Sequence, residues 1–204
     1  MTNPLIAGKT SSIIVVSGLP RSGTSMMMAM LQAGGVELIS DGIRKPDIDN
    51  PRGYFELEAV KRLAKNPDTT WLAGSNGKVV KVVSSLLKHL PSLYQYDVIF
   101  MNRDLKEIMA SQRKMLERRG EDQGSQNDAR IEMLFERHLQ EIKDWLRRQI
   151  NFRLMEVAYR DALANPQDQA RRVEDFLKRK LSLEAMSGVV TLGLYRNRNA
   201  ALAD

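Results

Sequence analysis

The sequence predicts an α/β fold in three layers, with a central parallel sheet flanked by helices. Three observations carry this reading. Short β-branched runs alternate along the chain with segments of helical periodicity, the pattern that βαβ units produce. The run Ser12-Ile13-Ile14-Val15-Val16-Ser17 is apolar at successive rather than alternate positions, as expected of a strand buried on both faces. A glycine-bounded loop and a helical segment follow it directly, which suits the start of a crossover unit.

Thr24 opens a predicted helix through Met26, Met27, Met28, Met30 and Leu31 that stops at Gly34-Gly35. It is apolar all round and therefore expected to be buried, with the methionines as adaptable core packing. Val36 to Ile39 reads as a second short strand. Ser40 to Tyr54 is a polar loop rich in Asp, Pro and Gly, the kind of segment that carries function on a rigid scaffold. Leu57 to Lys65 reads as a short helix, Lys78 to Val83 and Asp97 to Met101 as strands, and Asp104 as the cap of a helix reaching about Arg119. Gly120 to Asn127 is a break rich in Gly, Gln, Asn and Ser, expected to form a mobile loop near 118–130. Asp128 then caps a long helix whose Ile131, Leu134, Phe135, Leu139, Ile142, Trp145 and Leu146 predict one buried face. Arg153 to Val157 reads as a last strand, and Pro166 starts a helix with Val173, Phe176 and Leu177 inward.

The chain of 204 residues is read as one domain, 1–204, long enough to bury a core without staples. At 43% hydrophobic and 27% charged residues it is neither disordered nor fibrous. No apolar run approaches the roughly 18–20 residues that span a bilayer, and no secretory signal is visible at the N-terminus. The sequence has no cysteine, which excludes disulfides, thiolate metal sites and a cysteine nucleophile, and the expected setting is cytoplasmic. Thirty-one Lys and Arg against 25 Asp and Glu give a formal charge of +6, which suits an anionic partner. No recognition-helix motif and no interleaving of aromatic with basic residues supports nucleic acid as that partner.

The most informative segment is Gly18-Leu19-Pro20-Arg21-Ser22-Gly23-Thr24-Ser25. Backbone N–H groups at a helix start, with the helix dipole behind them, form an anion site. Against the nucleoside-triphosphatase pattern G-x-x-x-x-G-K-[ST], Gly18, Gly23 and Ser25 fit. Thr24 occupies the lysine position, which counts against triphosphate hydrolysis, and a cation is present inside the loop instead, at Arg21. The fold class is thus a P-loop-type three-layer α/β. The glycine spacing is not G-x-G-x-x-G, so a nicotinamide cofactor is unsupported.

Pro20-Arg21-Ser22-Gly23-Thr24-Ser25 resembles the 5′-phosphosulfate loop of sulfotransferases that use 3′-phosphoadenosine 5′-phosphosulfate (PAPS). A second match is an arginine at a strand end followed eight residues later by a serine, here Arg103 and Ser111, which resembles the family's 3′-phosphate motif. The carboxyl end of a parallel strand is where open α/β sheets bind ligands, and an arginine fork suits a terminal phosphate. Lys81 resembles the family's strand lysine that contacts the transferring sulfonate. Tyr159-Arg160-Asp161 resembles a Tyr-Glu-Asp segment whose tyrosine reaches the adenine side. Tyr195-Arg196-Asn197-Arg198 stands where the cytosolic enzymes have Arg-Lys-Gly over the 3′-phosphate. The resemblance is closest to small bacterial sulfotransferase-like proteins.

It implies transfer of a sulfonate from PAPS to a hydroxyl or amine acceptor, with adenosine 3′,5′-bisphosphate as product and no metal. The acceptor is a small molecule, carbohydrate or peptide that the sequence does not identify. Pro20, Arg21, Ser22, Gly23, Thr24, Ser25, Arg103, Ser111, Tyr159, Arg196 and Arg198 are the implied cofactor-binding residues, and Arg21, Lys81 and Glu56 the implied catalytic ones. The cytosolic aryl and steroid enzymes place a basic histidine two residues after the lysine, where this chain has Val83. The base is therefore sought among Glu56, Asp41, His89 and His138, with Glu56 favoured because it follows the polar loop. The alternatives are a non-catalytic module that binds the bisphosphate and a P-loop nucleotide kinase-like phosphotransferase.

Overall fold

A computed structural model describes residues 12–45, 47, 53–65, 68–120 and 128–190. Five strands form one parallel sheet: β1 (Ile13–Gly18), β2 (Leu38–Ile39), β3 (Val79–Lys81), β4 (Tyr96–Asn102) and β5 (Phe152–Ala158), in the order β2-β3-β1-β4-β5. β1 is central and buried at every position, which explains its unbroken apolar run. Its register pairs Val16 with Lys81 on one side and Gly18 with Met101 on the other. The loop that leaves β1 thus emerges between the ends of β3 and β4.

The helices are α1 (Thr24–Ala33), α2 (Glu58–Arg62), α3 (Leu105–Arg119), α4 (Asp128–Arg148), α5 (Tyr159–Ala164), α6 (Pro166–Leu177) and α7 (Leu183–Gly188). Alternate strand residues feed two cores. Ile14, Val16, Ile99 and Met101 pack with Met27, Met28 and Leu31 of α1, Ala162 of α5, Val173 of α6 and Met186 of α7. Ile13, Val15, Val98 and Phe100 pack with Val60 of α2 and Ile142 and Leu146 of α4. The side-chain period of two sends successive residues to opposite faces, so each face of the sheet acquires its own helical layer.

Several sequence readings are corrected. The strand expected over Lys78 to Val83 is paired over Val79–Lys81, and the chain turns at Val83 into a 3-10 helix, Ser84–His89. The expected inward stripe of α4 holds in its second half, where Ile142 and Leu146 are buried. In its first half Leu134 is 55% exposed and the neighbouring Met133 67%. A 21-residue helix spans about 31 Å at 1.5 Å per residue, whereas the seven residues of β5 cover about 23 Å, so α4 overruns the sheet. The short helices α5 and α7 were not anticipated. The expected mobile loop lies largely outside the described residues, at 121–127.

Candidate active site

Glycines at both ends of the loop after β1 fix its path. Gly18 has φ 145°, and a Cβ there would lie 2.5 Å from Ser22 Oγ and 2.6 Å from the Met101 carbonyl oxygen. Gly23 has φ 98°, and a Cβ there would meet the Tyr159 ring at 2.3 Å. Arg21 also has a left-handed backbone, φ 70°, a conformation that costs energy for a residue with a side chain. Its carbonyl is held by Arg103 Nη1, which donates to it at 3.1 Å. The first turn of α1 contains no acidic side chain, so no carboxylate there opposes the positive end of its dipole, which favours an anion. Thr24 at the lysine position is nearly buried. The Ser17 and Ser22 hydroxyls are buried and lack a hydrogen-bond partner among the described residues.

The second motif folds onto the first. Arg103 follows β4 directly, and its Nε donates to Glu107 Oε2 at 2.9 Å, one turn along α3. Its guanidinium carbon lies 4.5 Å from the centroid of the Tyr159 ring. Ser111, buried on α3, accepts from Arg21 Nε at 3.0 Å. Arg21, Arg103, Ser111 and Tyr159, from four separate elements, therefore form one cluster with the loop glycines. Burial pushes the Tyr159 phenol above its ordinary pKa. Asp104 caps α3 as expected, its carboxylate accepting from the Glu107 N–H.

Lys81 approaches from β3, the strand beside β1. Its Nζ donates to Ser25 Oγ at 3.2 Å and to the Tyr54 carbonyl at 2.6 Å, and lies 3.9 Å from Glu56 Oε1. Burial brings its pKa down from 10.5 to about 8, against the opposing pull of the Glu56 charge. Glu56 also pairs with Arg44 at 3.3 Å and with Lys61 at 2.9 Å.

Of the four base candidates, Glu56 is the one that lies against Lys81. Asp41 is occupied: its two carboxylate oxygens accept from the N–H groups of Ile43, at 3.0 Å, and Glu58, at 2.6 Å. These bonds hold its carboxyl below the usual range. His89 is exposed. His138 is half-buried on α4, with Nε2 2.8 Å from Ser84 Oγ, and burial lowers its pKa. Arg196 and Arg198 lie outside the described residues. Sequence reasoning missed Glu107, although its i+4 spacing from Arg103 was a signal. It also missed Arg44 and the Tyr54 carbonyl, for which no local pattern exists.

Among the described residues no group of three or more His, Cys, Asp or Glu side chains is disposed to hold a metal ion, and no helix is long and apolar enough to cross a membrane. The chain is similar in structure to the sulfotransferase STF1 from Mycobacterium tuberculosis, with 17% identity and a TM-score of 0.58 over 91% of this chain and 73% of that one. It is similar to the sulfotransferase domain of the Synechococcus PCC 7002 olefin synthase, with 16% identity and a TM-score of 0.54 over 91% and 79%. It is also similar to the sulfotransferase domain of the curacin biosynthetic pathway, with 17% identity and a TM-score of 0.53 over 87% and 77%. At these identities the likeness bears on the fold. No curated protein is matched by the sequence. The sulfotransferase domain model matches residues 11–197, nearly the whole chain, and the protein belongs to that family.

Proposed function

We propose that the protein transfers a sulfonate from PAPS to a hydroxyl or amine acceptor. The observation that carries this reading is the junction of the two phosphate motifs, with Arg21 Nε on Ser111 Oγ and Arg103 on the Arg21 carbonyl. A triphosphate site needs cations along one chain of phosphates. Arg21 from the loop and Arg103 from the end of β4 bring one cation each to a single cluster, which suits a nucleotide that carries a second phosphate beside its 5′ one.

The nucleotide supplies an activated sulfonate: the S–O bond to its 5′-phosphate breaks as the acceptor's oxygen or nitrogen bonds to sulfur. The loop amides from Gly23 to Ser25 hold negative charge at the start of α1. Lys81, held by Ser25 and Tyr54, supplies a buried positive charge where charge builds up during transfer. Arg103, clamped between Glu107 and Tyr159, fixes the orientation of the nucleotide, and such alignment is the larger part of catalysis in group transfer of this kind. Glu56 takes the acceptor's proton. To do so it exchanges an ion pair with Lys61 or Arg44 for the acceptor.

The test is release of adenosine 3′,5′-bisphosphate from PAPS in the presence of a panel of phenols, sugars and amines. Acceptor-dependent release, lost in Lys81→Ala, is expected. Phosphoryl transfer from ATP to the same acceptors, with PAPS left intact, would overturn the reading in favour of a kinase.

A further inference from the structure

Beside Lys81 lies a cleft of about 550 Å³ between the β2 edge and the polar loop. That volume suits a small ligand. Tyr54 and Glu56, the two loop residues that touch Lys81, belong to its lining, so its inner wall is shared with the transfer site.

The described residues of the cleft's lining are braced against one another. The Asp41 N–H donates to the Glu56 carbonyl at 3.1 Å, and Asp41 binds two further amides across the base of the loop. The Tyr54 hydroxyl donates to Asp47, and the Arg44 guanidinium stacks on the Tyr54 ring with its carbon 3.2 Å from the centroid. Phe55 is held at φ 50°, a strained conformation for a side chain that size.

Among the described residues, five charged groups line the cleft: Glu37, Asp41, Arg44, Lys45 and Glu56. The three carboxylates are already engaged. Glu37 pairs with Lys78, Asp41 with two amides, and Glu56 with Arg44, Lys61 and Lys81. The two cations have capacity left. Arg44 uses Nη1 on Glu56 and has no other acceptor among the described residues, though a guanidinium offers five N–H donors. Lys45 is exposed and has no ion-pair partner among the described residues.

We infer that this cleft is the acceptor site and that it selects an acceptor carrying an anionic group, such as a carboxylate, which Arg44 and Lys45 bind while Glu56 faces the reacting hydroxyl. The assignment of the cleft to the acceptor rests on the sulfonate-transfer reading, whereas its preference for an anion does not.

The test is calorimetry with three probes that share one phenol ring: 4-hydroxyphenylacetate, its neutral amide and tyramine. The acid is expected to bind at least about tenfold more tightly than the amide, the scale of one hydrogen bond to a charged group, with tyramine weakest. The preference should vanish in the double variant Arg44→Gln/Lys45→Gln and survive in Arg44→Lys, which keeps the charge and guards against a folding defect. Equal binding of acid and amide, a preference for tyramine, no binding of any probe, or a preference that persists in the double variant would each overturn the proposal. A parallel titration with adenosine 3′,5′-bisphosphate separates the two readings. Loss of bisphosphate binding with the acid preference intact would remove sulfonate transfer and leave the anion-selective cleft standing.

Discussion

The two sides of Lys81 are built on different principles. On the proposed nucleotide side, Arg21, Arg103, Ser111 and Tyr159 are tied to the carboxyl ends of β1, β4 and β5 or the helices that follow them, and Ser111 and Tyr159 are buried. The sheet fixes their positions. On the proposed acceptor side, Asp41, Arg44, Tyr54 and Glu56 belong to a connection between β2 and α2 whose described residues are braced by side chains bonding its own backbone and one another. One half is positioned by hydrogen bonds between strands and the other by local carboxylates. Substitutions on the nucleotide side should therefore act on binding and alignment, whereas those on the acceptor side should separate shape from chemistry.

The largest effect is expected at Lys81, where the two sides meet. Lys81→Ala removes a buried charge, and turnover should fall by about 10²–10³ with a smaller loss of nucleotide affinity, read by steady-state kinetics beside calorimetry. A loss confined to the Michaelis constant for the donor would assign Lys81 to ground-state binding. Its charge also sets a pH dependence. With a folded pKa of about 8 against 10.5 unfolded, Lys81 is charged below pH 8, and activity that depends on it should decline as pH rises through about 8. The folded chain binds fewer protons than the unfolded one between these values, so the Lys81 contribution to stability should rise with pH across the same window. A bound anionic nucleotide should shift the decline upward.

Glu56→Gln comes next. If Glu56 is the base, transfer should fall by at least about a hundredfold while bisphosphate affinity stays within a few-fold. Near-normal transfer would make Glu56 an ion-pair partner of Lys81 and leave the base unassigned. Asp41→Asn should give the smallest effect and the sharpest contrast. As a brace that accepts two amides it should cost about 1 kcal/mol on denaturant unfolding, with the transfer rate changed only a few-fold. A hundredfold drop in rate without loss of stability would restore Asp41 as a base.

The same contrast governs what could be read from the sequence. β1, α1 and the Arg103 strand end were legible because burial on both faces and a glycine-bounded loop leave unambiguous residue patterns. The C-terminal half of α4 was legible for the same reason. Leu134 was not, because periodicity reports an apolar face without reporting where the neighbouring layer stops. The left-handed backbones of Arg21 and Phe55 could not be foreseen, since neither residue favours that region and tertiary contacts impose it. Arg44 reaches Glu56 across the polar loop, twelve residues away, in a segment with no period to extrapolate. Lys81 was singled out by resemblance, but its contact with the Tyr54 carbonyl was not, because a main-chain acceptor leaves no mark on residue identity.

In the proposed function Arg103 and Ser111, which contact the loop at Arg21, serve a phosphate other than the one held by the loop amides. This central claim is tested most directly by calorimetric titration of adenosine 3′,5′-bisphosphate against 5′-AMP, in the wild type and in Arg103→Ala. The wild type should favour the bisphosphate by about 2–4 kcal/mol, the scale of a charge pair left without its partner, and Arg103→Ala should abolish most of that difference while still binding 5′-AMP. Equal affinity for the two nucleotides in the wild type would contradict the account.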